Sequence, residues 1–303
     1  MTRLARGGVA LVLLYTVLIT GADAIVKTLG QSYSAAQMFA VSGFVVVLLC
    51  LVCGRASGEP LTLLTLRPVT PGLMALRSGA TVVAAVAFFE AFRQLQFAEV
   101  FLFVGLMPLI SALMAGPVLG ERIRMSSWIA LGFGGIGMMC LFPQGWSSVG
   151  SGHLVALLAA ISGTYSMVLA RLISRQETRA TLQVLYPNLA LALVMLPPLF
   201  GLWVPMSAAH LGIAVLYGVL LFAARLVLVR ALTDVPAHVA TSLMKLQFVW
   251  MVVIGFALFG EVPGLHVFAG VMLVIGSGLL LVYEDRLEGA WRAVARDFSP
   301  GRG

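Results

Sequence analysis

Ten stretches of this 303-residue chain are apolar for long enough to cross a bilayer, and no other feature narrows its possible folds so far. They run at 8–28, 35–53, 71–93, 99–119, 127–142, 153–174, 181–199, 211–232, 237–259 and 265–283, the third and fourth being the hardest to separate. A helix of ~20 residues at ~1.5 Å each spans ~30 Å of hydrocarbon. The runs are continuously apolar rather than alternating, which excludes a membrane β-barrel. The longest connection, 54–70, leaves no room for a soluble domain. With 60% hydrophobic and only 10% charged residues, the chain lacks the polar surface a soluble globule needs. An all-α membrane protein is the fold class this pattern predicts.

The N-terminus imitates a secretory signal peptide, with Arg3, Arg6, an apolar run and the small residues Ala22 and Ala24. Its removal would discard Asp23 and leave nine spans, so it is expected to stay as the first helix. Orientation follows from the cytoplasmic excess of Lys and Arg. Sixteen of the 19 such residues fall on the side of Arg3 and Arg6, only Lys27 and Arg93 fall opposite, and Lys245 is left in mid-membrane. Both termini are therefore expected in the cytoplasm, and the net charge of +7 reflects topology. No basic aromatic groove points to nucleic acid. Cys50 and Cys53 resemble half a metal site, but no second pair or nearby histidine completes it, and they read as small apolar filler.

The chain also repeats itself. "VLGERI" at 118–123 and "LFGEVP" at 258–263 align at an offset of 140 residues. Gly135, Gly137 and Phe142 answer to Gly276, Gly278 and Tyr283, while Gly8 and Lys27 answer to Gly152 and Arg171 at an offset of 144. The shared order indicates a duplicated five-helix unit. Five is odd, so the second copy enters the membrane from the opposite side. The expected units are 1–142 and an inverted 143–283, followed by a tail, 284–303. Inverted repeats are a recurrent design of secondary transporters.

These residues carry a resemblance. The two Gly-Glu signatures, Gly120-Glu121 and Gly260-Glu261, and Pro108 within "LMPLISALMAGPVLGER" resemble the EamA-type members of the drug/metabolite transporter superfamily. The resemblance covers essentially the whole chain and is greatest to bacterial exporters of amino acids and related metabolites, the YddG-type among them. It implies ten helices in two inverted halves with both ends cytoplasmic, a bacterial inner-membrane location and a small-molecule substrate. One departure stands out: Phe248 occupies the position where the first half has Pro108.

An ionisable side chain near the bilayer centre costs about 2.5 to 3.5 kcal/mol to insert, so it normally faces a cavity or a partner. Asp23 and Lys27 are four apart on one face of the first helix, where they can pair with each other or serve in coupling or gating. Glu90 and Arg93 are three apart near the outer end of the third, where they can form a structural pair or Glu90 can serve as a substrate-binding or proton site. Arg225 lies about two turns from the inner end of the eighth helix and can snorkel or act in gating. Lys245 is about eight residues, ~12 Å, into the ninth, too deep for easy snorkelling. Its helical neighbours Thr241, Ser242 and Phe248 make it the leading substrate-binding residue, with Phe101 and Gly105 facing it by the repeat. Glu121 and Glu261 read as fold determinants at helix ends.

An intramembrane enzyme would need a nucleophile with a base, or metal ligands at helical spacing. The four histidines fall at helix ends or loops, no HExxH or GxSxG stretch exists, and no Walker A loop is present. No cofactor is expected, and the partners expected are a small molecule and the lipid bilayer, for a chain acting as a monomer. Leu287, Trp291, Val294 and Phe298 form an apolar stripe that would lay the tail along the membrane surface or extend the tenth helix.

Overall fold

The structure, a computed structural model, describes residues 3–56, 67–119, 149–174, 176–177, 179–234 and 246–273, with isolated positions between 129 and 139 and at 244, 275 and 276. All regular structure among the described residues is helical. The helices are α1 (Arg3–Leu29), α2 (Ala35–Ala56), α3 (Pro71–Gln94), α4 (Phe97–Leu119), α5 (Ser151–Ser174), α6 (Ala180–Leu202), α7 (Ala208–Asp234) and α8 (Gln247–Phe259). Six of them are long and apolar enough to cross a membrane: α1, α2, α3, α5, α6 and α7. This is a multi-pass helical membrane protein. The fifth expected span lies mostly outside the described residues, the tenth is described as helix over 265–273, and the tail is outside them.

The uncertain break between the third and fourth spans falls at Leu95. Its extended backbone ends α3 while its N–H still reaches the Ala91 carbonyl, and α4 begins two residues later. Of the expected ninth span, Met244 and the residues from Leu246 onward are described, so Lys245, Thr241 and Ser242 lie outside the described residues.

The longest-lying pairs are α1 with α7, α2 with α6 and α3 with α5. In addition α4 meets α5, α2 meets α7, α3 meets α6, and α8 touches both α1 and α4. Lipid offers no hydrophobic drive for helices to associate, so close backbone packing has to supply much of the attraction. Small residues provide it here. A Cβ on Gly218 of α7 would lie 2.9 Å from Val45 and 3.1 Å from the Ser42 carbonyl of α2. A Cβ on Gly43 of α2 would lie 2.9 Å from Ala192 and 3.1 Å from the Asn188 carbonyl of α6. Phe39, Phe89 and Phe97 fill the core between these contacts.

Several polar side chains inside the spans are satisfied locally, as a medium without water favours. Thr20, Thr28, Ser78 and Thr164 each donate to the carbonyl four residues back in their own helix. Gln37, fully buried at the start of α2, exchanges two hydrogen bonds with the backbone of Val204 beyond α6. Pro187 inside α6 has no N–H for the carbonyl of Gln183, four residues earlier. Arg77 of α3 donates to that oxygen at 2.6 Å.

Candidate functional site

Three polar assemblies stand out, one at each end of the bundle and one between. At the end where α1 finishes, Lys27 is 8% exposed and its ammonium pairs with Glu261 at 2.5 Å. It also donates to the Leu95 carbonyl at 2.7 Å, and it sits 5.4 and 5.5 Å from the ring centroids of Phe97 and Phe259. The other carboxylate oxygen of Glu261 accepts the Phe97 N–H at 2.9 Å. Gly260, the residue that closes α8 at φ 64°, supplies the left-handed turn that sends Glu261 back toward this cluster. Lys27 therefore fastens α1 to the α3–α4 turn and to the end of α8. The direct pair with Asp23 suggested by their four-residue spacing is replaced by this longer-range one.

At the opposite end, Glu177 in the α5–α6 connection is 3% exposed. It accepts hydrogen bonds from the Arg179 side chain and backbone and from the Val69 N–H, while Arg179 also donates to the Arg67 carbonyl. The Arg179 guanidinium and these backbone donors hold the Glu177 carboxyl below its usual range, against the opposing effect of burial. This latch joins the α5–α6 connection to the segment before α3. Nothing in the hydropathy pattern distinguished Glu177, since it falls in an ordinary polar connection.

Between the ends, within the spans, Asp23 accepts a hydrogen bond from Gln247 at 3.3 Å, and Trp250 donates to Thr16 at 3.2 Å. Arg225 lies within electrostatic reach of Tyr217 of its own helix, Tyr15 of α1 and Cys50 of α2, and of a second cation, Arg77 of α3. It faces the bundle interior rather than snorkelling out along the lipid. Tyr217 and Gln247 are members of this group that sequence reasoning missed, although Tyr217 precedes Arg225 by the same eight residues that separate Tyr15 from Asp23.

The other expected site residues are dispersed. Phe101 of α4 and Phe248 of α8 touch, with ring centroids 5.0 Å apart, and both are buried. Gly105 lies one turn further along α4, partly covered. Glu90 is bound to Arg93 at 3.0 Å, partly exposed near the end of α3 and away from Arg225. Among the described residues no group of three or more His, Cys, Asp or Glu side chains could hold a metal ion.

Fold and interior charges together define a polytopic membrane protein with a polar interior. Residues 150–283, somewhat under half of the chain, match the model of the EamA-like transporter family. Solved structures match the fold, among them the crystal structure of a protein 19% identical to this one, covering 94% of this chain and 98% of its own, with a TM-score of 0.63. No curated protein matches.

Proposed function

We propose that this protein is a secondary transporter of the EamA type that moves small metabolites across the bacterial inner membrane by alternating access, with amino acids as the exported class. The observation that carries the reading is the symmetry of its helix pairing. Exchanging α1 with α5, α2 with α6, α3 with α7 and α4 with α8 turns the α1–α7 contact into α5–α3, α4–α5 into α8–α1, and α2–α7 into α6–α3. The α2–α6 and α4–α8 contacts map onto themselves. Most of the pairing is thus what a duplicated unit would produce, and it supports two related halves, 1–142 and 143–283; on this reading their inversion and the cytoplasmic ends follow from the odd number of helices per unit and the charge asymmetry. Two related halves give a chain two related ways of closing, one at each membrane face. The match of 150–283 to a transporter family supports the same reading. It also leaves little reason to assign catalysis.

The substrate site on this reading lies between the halves. Phe101 and Phe248 would provide its apolar wall, while Gly105, Glu90, Lys245, Thr241 and Ser242 are the contacts that sequence position suggests. Asp23, Lys27 and Arg225 are the groups available for coupling or gating. The YddG-type exporters provide the amino-acid assignment, by resemblance.

Purified protein in liposomes is the test. Preloaded unlabelled amino acids should drive saturable uptake of the same labelled compound, as a carrier but not a channel requires. Absence of counterflow for every amino acid, with counterflow of a nucleoside or vitamin instead, would overturn the amino-acid assignment and leave the transporter. Flux that neither saturates nor shows counterflow would overturn the carrier.

A further inference from the structure

Two helices that lie side by side carry a phenol and a charge at the same spacing. On α1, Tyr15 stands eight residues before Asp23; on α7, Tyr217 stands eight residues before Arg225. The helices run antiparallel, because Tyr33, just past the end of α1, bonds His210 near the start of α7 at 2.7 Å, and Leu220 reaches Gly21 midway along both. In this register Tyr15 comes level with Arg225, and Asp23 with Tyr217. Eight residues separate the two levels by about 12 Å along the helix. Side chains on a helix lean toward its N-terminus, so on antiparallel partners Arg225 and Asp23 lean toward one another. Both phenols interact electrostatically with both charges.

The charges themselves are left open. Among the described residues Arg225 makes no hydrogen bond or ion pair, although its guanidinium offers five donors. Among the described residues Asp23 has only the bond from Gln247. Both side chains are partly accessible although they lie within helices that span the membrane. Arg225 is within electrostatic reach of groups on α1, α2 and α3, which places it on the side of its helix that faces the bundle. An opposed pair held apart in this way exposes a dipole, whereas a closed ion pair would cancel it. The arrangement matches a ligand carrying both signs of charge.

We infer that Arg225 and Asp23, bridged by Tyr15 and Tyr217, form a recognition site for a small zwitterion, its carboxylate on Arg225 and its ammonium on Asp23. The inference rests on the transporter reading above and assigns the charged contacts to α1 and α7 rather than to Lys245. A carboxylate meets the guanidinium through two parallel hydrogen bonds, which makes Arg the more specific anchor of the two cations.

Counterflow of the twenty common amino acids is measured in liposomes holding the full chain, and the best substrate is then challenged with its desamino and decarboxylated analogues. In the unmodified protein each analogue should compete at least tenfold more weakly than the parent. Arg225→Gln should remove the disadvantage of the decarboxylated analogue, and Asp23→Asn that of the desamino analogue. If both analogues compete as well as the parent in the unmodified protein, the inference is overturned without recourse to any variant that could misfold. Should counterflow persist with discrimination unchanged in both variants, or be abolished only by Lys245→Met, the inference falls while the transporter reading stands. No counterflow of any amino acid removes the amino-acid assignment and the inference with it.

Discussion

Lys27 shows what a single residue can be made to do inside a membrane. Its ammonium has a carboxylate, a carbonyl and two ring faces around it, so the cation is fully answered. Removing one member of such a buried pair is far more damaging than removing both, because the survivor is left charged without compensation. Glu261→Gln should therefore lower unfolding stability in mixed micelles by about 3 kcal/mol or more. Adding Lys27→Met to Glu261→Gln should recover part of that loss, and a double variant less stable than the single would argue against the pair. Glu177 gives a second test at this scale. Its depressed folded value means that the latch stabilises the protein at neutral pH, above its ordinary value of 4.5, and that this contribution fades as pH falls through the folded value. Melting temperatures of the native chain and Glu177→Gln should thus differ at pH 7 and converge in acid. Curves that stay equally separated down to the point of acid unfolding would contradict it.

At the scale of elements, α6 is the helix most at odds with its own sequence, carrying Pro187, Pro197 and Pro198 inside. The helix runs on past Pro187, and α3 contributes Arg77 to the carbonyl the proline leaves open. Arg77→Met should orphan that oxygen and lose about 1 to 3 kcal/mol. In a Pro187→Ala background the restored N–H can bond the same carbonyl, so the loss should shrink. Equal losses in both backgrounds, read from denaturant titrations, would mean that Arg77 matters for another reason. The α2–α7 contact is similarly specific: Gly218→Val should push the two helices apart and cost about 1 to 3 kcal/mol, because Val45 already occupies the space. An exposed position such as Gly212 of α7, where a Cβ would meet nothing, should accept the same change with little effect.

For the whole molecule, the charge asymmetry makes a prediction about sidedness. In a background lacking Cys50, Cys53 and Cys140, a cysteine replacing the exposed Ser32 after α1 should react with a membrane-impermeant thiol reagent in intact cells. A cysteine replacing Ser299 in the tail should react only after permeabilisation. Labelling of both in intact cells would overturn the inward placement of the termini.

How much of this was legible in the sequence differs from residue to residue. Hydropathy placed the six described spans within a few residues, since burying ~20 apolar side chains in hydrocarbon is decided segment by segment and needs no partner. The helix break before α4 and the identity of Lys27's partner needed the fold. Asp23 is four residues from Lys27 on the same helix, yet Glu261 wins because α8 ends where α1 ends and Gly260 turns its carboxylate inward. Arg77 looked like one more inward-side cation, and its bond to α6 exists only because α3 and α6 lie together. The chain alone thus determined that it lives in a membrane and in helices. Which polar groups meet was decided only by tertiary structure, because in a medium without water each must find its partner on whichever helix packing brings opposite.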